Sequence, residues 1–128
     1  MAALVLAGCD KPQASTEHVK GLAEKYWQAV QQANFDEALT FYGKGFFEAQ
    51  PESAWKARLQ EVQAKLGPLK TWRLKDTQIN TMFSGRQYMF KFINAYEKGN
   101  ATETLVFFQQ VNEDDVKILA HQIESLAL

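Results

Sequence analysis

The hydrophobic pattern of this chain changes once, at Gly67-Pro68, and that change restricts the folds it can adopt. Before this point apolar residues recur every three or four positions, which predicts amphipathic helices. After it aromatic, apolar and Thr residues alternate with polar ones between short turns, which is typical of antiparallel strands. Because all the helices precede all the strands, the pattern predicts an α+β fold, with three helices followed by a four-stranded meander.

The two longer helices have well-marked predicted ends. The first covers residues 15–33, with Ser15 or Thr16 as its N-cap. The other begins near Pro51, whose fixed φ suits a first helical turn, and stops at Gly67.

A short second helix is predicted between them. Asp36 is expected to cap its N-terminus, with Phe35 before it as a hydrophobic staple. The run Gly43-Lys44-Gly45 is expected to end this helix, because two glycines so close together favour a loop.

The predicted strands cover residues 71–83, 86–96, 101–111 and 116–125. The turns between them are so short that consecutive strands must pair antiparallel. On the third strand Leu105 and Phe107 share one face, and Val106 and Phe108 share the other. One face is expected to cover the helices. The other has enough apolar area for a partner, including a homodimer through this exposed face, or for a sheet that curls over itself.

The N-terminal stretch Leu4-Val5-Leu6-Ala7-Gly8 is apolar and leads to Cys9, the only cysteine, after which the chain turns polar. This stretch resembles the lipobox of bacterial lipoproteins, in which an apolar residue and two small residues precede an invariant cysteine. The resemblance implies that residues 1–8 are the remnant of a signal peptide, that Cys9 is acylated, and that residues 9–15 tether a domain of residues 16–128. The lipid bilayer would then be a partner, and the location the bacterial cell envelope, facing the periplasm or the cell exterior. The alternative is a disordered apolar N-terminus with an incidental cysteine.

Three stretches carry a second resemblance, AEKYWQAVQQANFDEALTFY, WKARLQEVQAKLGPLKTWRL and YMFKFINAYEKGNATETLVFFQ. Their helix and strand packing patterns resemble those of the small cystatin-like and nuclear-transport-factor-2-like domains found in exported bacterial lipoproteins. The resemblance implies a curved sheet that wraps the long helix and leaves a cone-shaped cavity. Some members of this superfamily are enzymes and others bind small molecules, so the fold does not by itself define a function.

Charge and composition argue against several functions. Fourteen basic and fifteen acidic residues give a formal charge of −1, which provides no field to attract nucleic acid. One cysteine and two histidines do not make a metal cluster, and no cofactor motif is present. No catalytic residue, metal ligand or cofactor is therefore assigned.

Few residues are candidates for acid–base chemistry. His18 is expected on the solvated side of the first helix, and His121 at an ordinary strand position. As a base, His121 would need a carboxylate in reach, for which Glu124 and Asp76 are guesses. Asp76 is in phase with Trp72, so it is expected either to point inward or to mark a strand end or bulge.

The candidate pocket is an apolar space between the sheet and the helices, with tyrosine hydroxyls and an arginine as polar anchors. Its predicted lining is Tyr42, Trp55, Trp72, Asp76, Arg86, Tyr88 and Phe90. The alternative is that these aromatic side chains simply pack in the core. The function expected first is a membrane-tethered, non-enzymatic binding or interaction module of unknown ligand. The alternative is a small-pocket enzyme, or a carrier of a small apolar ligand, from the same superfamily.

Overall fold

The computed structural model describes residues 12–128, which form helices first and strands afterwards. The helices are α1 (Thr16–Gln31), α2 (Phe35–Leu39), α3 (Lys44–Ala49) and α4 (Glu52–Leu66). The strands are β1 (Leu69–Met82), β2 (Gly85–Tyr96), β3 (Gly99–Gln110) and β4 (Val116–Glu124). The predicted α+β class is confirmed.

The four strands form one antiparallel sheet in the order β1-β2-β3-β4, as a meander requires. Helix α1 packs on β1 and β2, and α3 packs on β4, so the core lies between the helices and one face of the sheet. No helix in the described part of the chain is both long and apolar enough to cross a membrane.

Three register shifts change which way the following side chains point. In β1 the register shifts between Leu69 and Thr71 and again between Leu74 and Asp76, and in β4 it shifts so that Leu119 is an extra residue between Ile118 and Ala120. Side chains alternate along a regular strand, so one extra residue moves every later side chain to the opposite face. The bulge in β4 therefore turns His121 inward.

The predicted N-cap of α1 and both predicted ends of α4 are confirmed, whereas α1 ends at Gln31 rather than at residue 33. The Ser15 hydroxyl accepts a hydrogen bond from the backbone N–H of His18 at 3.1 Å, which makes Ser15 the N-cap of α1. Pro51 precedes α4. Gly67 ends it with φ +80°, and a Cβ on this residue would lie 2.9 Å from the Cβ of Glu97.

The predicted number of helices is wrong: residues 12–128 form four, because Lys44–Ala49 forms α3. Two glycines near its start favour a loop locally. However, the buried ring of Phe46 lies 4.7 Å from that of Tyr42 and 5.0 Å from that of Trp55, measured between ring centroids. These contacts between elements stabilise a helix that local propensity does not indicate.

The predicted cap of α2 is also wrong. Asn34, not Asp36, accepts the hydrogen bond that closes the first turn, from the backbone N–H of Glu37 at 3.3 Å. Phe35 is the first residue of the helix, and its side chain is buried.

The two faces of the sheet divide as β3 predicts. Leu105 and Phe107 are fully buried against the helices. Val106 and Phe108 lie on the opposite face, where Val106 pairs with Met89 of β2. On that outer face Val106 is buried, whereas Met89, Ile93 and Phe108 are half-buried.

Candidate functional site

Glu103 and His121 form a buried pair on the inner face of the sheet. Glu103 lies on β3 in phase with Leu105, and the bulge in β4 turns His121 toward the same side. His121 Nε2 lies 2.7 Å from Glu103 Oε1, and the two side chains are 0% and 2% exposed. A carboxylate is rarely buried so deeply unless every oxygen has a donor.

Glu103 has three hydrogen-bond donors. Asn94 donates through Nδ2 to Oε2 at 2.7 Å, and the Tyr96 hydroxyl donates to the same oxygen. The imidazole of His121 occupies the other oxygen. Three donors around one carboxylate compensate for its loss of water, because hydrogen bonds to a charged group are the stronger kind.

The network continues from His121 into the helices. The hydroxyl of Tyr42 lies 2.7 Å from His121 Nδ1, and the hydroxyl of Tyr26 lies 2.5 Å from that of Tyr42. One proton arrangement satisfies every donor: Tyr26 donates to Tyr42, Tyr42 donates to Nδ1, and Nε2–H donates to Glu103. The reverse direction would leave the buried Tyr26 hydroxyl hydrogen without an acceptor.

Four aromatic rings surround His121. Their centroids lie 5.5 to 6.1 Å from that of the imidazole, and they belong to Tyr26, Trp27, Tyr42 and Trp55. Tyr42 is close to parallel with the imidazole, and the other three meet it edge to face. The rings keep water away from the histidine, so its hydrogen-bond partners are side chains of the protein itself.

The three tyrosines of this network are held in their neutral form. Burial raises the pKa of Tyr26, Tyr42 and Tyr96 well above the ordinary value of 10.0. The negative charge of Glu103 raises all three further, because a second negative charge nearby is unfavourable. These hydroxyls therefore act as hydrogen-bond donors throughout the physiological pH range.

The space beside the network is very small. A cavity of about 10 Å³ lies between α1, α4 and the sheet, and the side chains that line it include Tyr26, Tyr96, Glu103 and Gln63. This volume is about that of one water molecule by the same measure. A substrate would have to displace core side chains to reach Glu103 or His121.

None of the seven residues predicted to line a pocket lines this cavity. Tyr42, Trp55, Tyr88 and Phe90 are buried in the core. Tyr42 and Trp55 do meet at His121, whereas the Tyr88 hydroxyl donates to the backbone oxygen of Ala14 at 2.6 Å. The alternative of simple core packing describes Phe90 best.

The other three predicted residues lie apart from the network. Trp72 is half-buried and donates through Nε1 to the carboxylate of Glu24. Asp76 is exposed after the bulge in β1 and accepts from the backbone N–H of Thr77 at 2.9 Å, which matches the bulge rather than the inward orientation. Arg86 donates through Nε to the Thr81 hydroxyl at 3.0 Å.

Sequence reasoning missed Glu103 as the carboxylate partner of His121. Neither Glu124 nor Asp76 bonds to this histidine; both are exposed. One signal was available, because Glu103 is in phase with Leu105 and Phe107 on the inner face of β3. An acidic residue in phase with two core residues indicates a buried carboxylate with donors around it.

The described residues bear on metal binding but not on the predicted lipidation. Within residues 12–128 no group of three or more His, Cys, Asp or Glu side chains could hold a metal ion. His18 is exposed, in the first turn of α1. Cys9, the predicted lipidation site, lies outside the described residues.

Comparison with known proteins finds a likeness in structure and none in sequence. No family model matches the chain, and no curated protein matches its sequence. The solved structure of Bd1075 from Bdellovibrio bacteriovorus is similar, with a TM-score of 0.60 at 16% sequence identity over 86% of this chain. The match covers 40% of Bd1075, so this chain spans well under half of that protein. At this identity the likeness concerns the fold alone.

Proposed function

We propose that this chain is a membrane-tethered lipoprotein of the bacterial cell envelope, and that its domain is a non-enzymatic binding or interaction module. The domain is proposed to belong to the cystatin-like and nuclear-transport-factor-2-like group, with a curved sheet around α1. The support for this fold assignment is that all helices lie on one side of a meander, and that bulges of the kind that bend strands occur in β1 and β4.

The filled interior is the observation that carries the non-enzymatic function. Glu103 and His121 are the only buried acid–base pair among residues 12–128, and both are fully engaged by Tyr42, Tyr96 and Asn94. General acid–base catalysis needs contact between such a group and the substrate. A cavity of about 10 Å³ leaves no room for one. The network therefore serves the structure of the domain, and the function is assigned to its surface.

The outer face of the sheet is the surface proposed for the interaction. Met89, Ile93, Val106 and Phe108 lie there, and a second copy of the chain is the simplest partner. Sedimentation at high micromolar concentration is expected to show twice the monomer mass. Met89→Lys should restore the monomer, because it places a charge at the centre of this face. Leu126→Lys, which places the same charge at an exposed position elsewhere, should not. A monomeric wild-type protein would exclude the homodimer.

The anchor has its own test. Cells that express the chain are labelled with a fatty-acid probe, and wild type is compared with Cys9→Ala. Label on the wild type alone is expected, because acylation requires the Cys9 sulfur. Equal labelling of both proteins would refute the anchor and, with it, the membrane tether.

A small-pocket enzyme or a carrier of a small apolar ligand is the second candidate. It is favoured by one observation: a tyrosine, a histidine and a carboxylate bonded in series is an arrangement that can move protons. This candidate requires the cavity beside Glu103 to widen. Benzene and xenon enter apolar cavities of sufficient size, so they serve as probes. If neither shifts the imidazole resonances of His121 in ¹⁵N-histidine spectra, the candidate is excluded.

A further inference from the structure

Three exposed apolar side chains lie together at one end of the sheet. Met82 ends β1, Phe83 is in the turn between β1 and β2, and Val111 is in the turn that follows β3. The backbone N–H of Val111 donates to the oxygen of Ser84 at 2.9 Å, so the two turns form one surface. We call Met82, Phe83 and Val111 the turn surface. Phe83 is fully exposed, which is unusual for an aromatic side chain that has no partner.

The N-terminal segment leaves the domain beside this turn surface. Gln109, near the end of β3, is buried, and its side chain donates to the Pro12 oxygen at 3.3 Å and accepts from the Ala14 N–H at 2.7 Å. The Tyr88 hydroxyl binds the oxygen of Ala14. Gln13 and Val111 line one depression. Residues 12–14, which the sequence assigns to a tether, are thus attached to the same end of the sheet.

The position of this attachment limits how far the domain can stand from Cys9. Cys9 precedes Pro12 by three positions, and an extended chain spans at most about 11 Å over that distance. Acyl chains on Cys9 would therefore enter the bilayer within about 11 Å of Pro12, which Gln109 holds at the end of the sheet that carries the turn surface. This step rests on the proposed lipid anchor.

We propose that the turn surface inserts into the interface of the lipid bilayer next to acylated Cys9. An aromatic ring and two apolar side chains suit that region, and a second attachment besides the acyl chains would fix the orientation of the domain. Attraction to anionic headgroups is not the cause, because Glu113, Asp114 and Asp115 follow Val111 in the same turn. Insertion is therefore independent of salt. It also leaves the outer face of the sheet open for a partner.

The test supplies the anchor chemically. The Cys9 thiol of the full chain is coupled to a maleimide-headgroup lipid in phosphatidylcholine vesicles, so that the result does not depend on acylation in cells. Phe83→Trp reports on the turn surface. Leu126→Trp is the matched control, because Leu126 is equally exposed but lies near Asn100, at the opposite end of β3. Wild type, with its three tryptophans, provides the background.

Brominated phosphatidylcholine quenches tryptophans that reach the bilayer. The expected result is a blue-shifted emission and strong quenching for Phe83→Trp, unchanged between low and high salt, and neither effect for Leu126→Trp. Equal quenching of both variants, or of neither, would overturn the insertion. A blue shift without quenching would show that a protein surface covers Phe83, and would also overturn it. Fatty-acid labelling of wild type against Cys9→Ala reports separately on the anchor, so failure of the anchor and failure of the insertion are distinguishable.

Discussion

Replacing Glu103 by Gln is expected to reverse a whole series of buried hydrogen bonds. The carboxylate accepts from His121, Tyr96 and Asn94, whereas an amide has only one oxygen. If that oxygen keeps the hydrogen bonds from Tyr96 and Asn94, the amide NH₂ faces His121 Nε2. The imidazole must then accept at Nε2 and carry its proton on Nδ1.

The reversal leaves one donor without a partner. A proton on Nδ1 makes Tyr42 an acceptor from His121, so the Tyr42 hydroxyl must donate to Tyr26. The hydrogen of the fully buried Tyr26 hydroxyl then has no acceptor among the bonds observed. A lost hydrogen bond to a charged group costs about 1.5–3 kcal/mol, and an unsatisfied buried donor about 1–3 kcal/mol. Relief of the buried charge offsets part of this, so we expect Glu103→Gln to lower the free energy of unfolding by about 2–4 kcal/mol.

The imidazole itself reports the direction of the bonds and not only their strength. The proton of His121 is expected on Nε2 in the wild type and on Nδ1 in Glu103→Gln, so the protonated and unprotonated ring nitrogens should exchange places in ¹⁵N-histidine spectra. Urea unfolding at neutral pH, followed by tryptophan emission, provides the free energy of unfolding of both proteins. Glu61→Gln is the control for the chemical change, because Glu61 is exposed, and its urea midpoint should match that of the wild type.

An unchanged tautomer would refute this reasoning. If Nε2 of His121 keeps its proton in Glu103→Gln, the amide oxygen rather than its NH₂ faces the imidazole, and the series of bonds is not reversed.

The remaining predictions concern pH and backbone conformation. Because burial raises the pKa of Tyr26, Tyr42 and Tyr96 above 10.0, the folded state keeps protons that the unfolded chain loses in alkali. Stability should therefore be complete below pH ~10 and fall above it by about 1.4 kcal/mol per pH unit for each of the three tyrosines. Urea unfolding in alkali should show a slope about one third shallower for Tyr96→Phe, and an unchanged slope would contradict the assignment. Gly67→Ala should lower the free energy of unfolding by about 1–3 kcal/mol, because φ is +80° and the new Cβ meets Glu97. Gly21→Ala in α1 should raise it by about 0.5–1 kcal/mol, because nothing lies within 4 Å of the new Cβ and Ala favours helix over Gly. Thermal unfolding compares the two, and a shift of the same sign in both would be contrary to this expectation.

The features that local sequence predicted correctly are those set by near neighbours. Ser15 caps α1 through a residue three positions away, and Gly67 ends α4 with its own φ. The strands follow from alternation, and their order follows from turns too short for any other connection. Helix α3 was missed for the opposite reason. The contacts of Phe46 with Tyr42 and Trp55 stabilise it, whereas the two nearby glycines favour a loop locally.

The candidate site depended on two bulges that no periodicity indicates. Alternation from Ile118 would point His121 outward, and alternation from Trp72 would point Asp76 inward. An extra residue in each strand reverses both, so the side chain of His121 is buried and Asp76 is exposed. Glu103 needed no bulge, since it is in phase with Leu105, but its partners lie on the neighbouring strands β2 and β4, so they depend on how the strands pair.

By itself, then, the sequence determined the α+β class, the antiparallel order of the strands and the two apolar faces of the sheet, because each depends on periodicity, caps and turn length. It also predicts the Cys9 anchor, which lies outside the described residues. Only the tertiary structure decided that a tyrosine from the α2–α3 connection, a histidine from β4 and a glutamate from β3 meet in a filled core. It also decided that Gln109 holds Pro12 at the end of the sheet where Gln13 and Val111 line one depression. Both are long-range contacts, and their geometry depends on strand register and bulges rather than on any local preference of the chain.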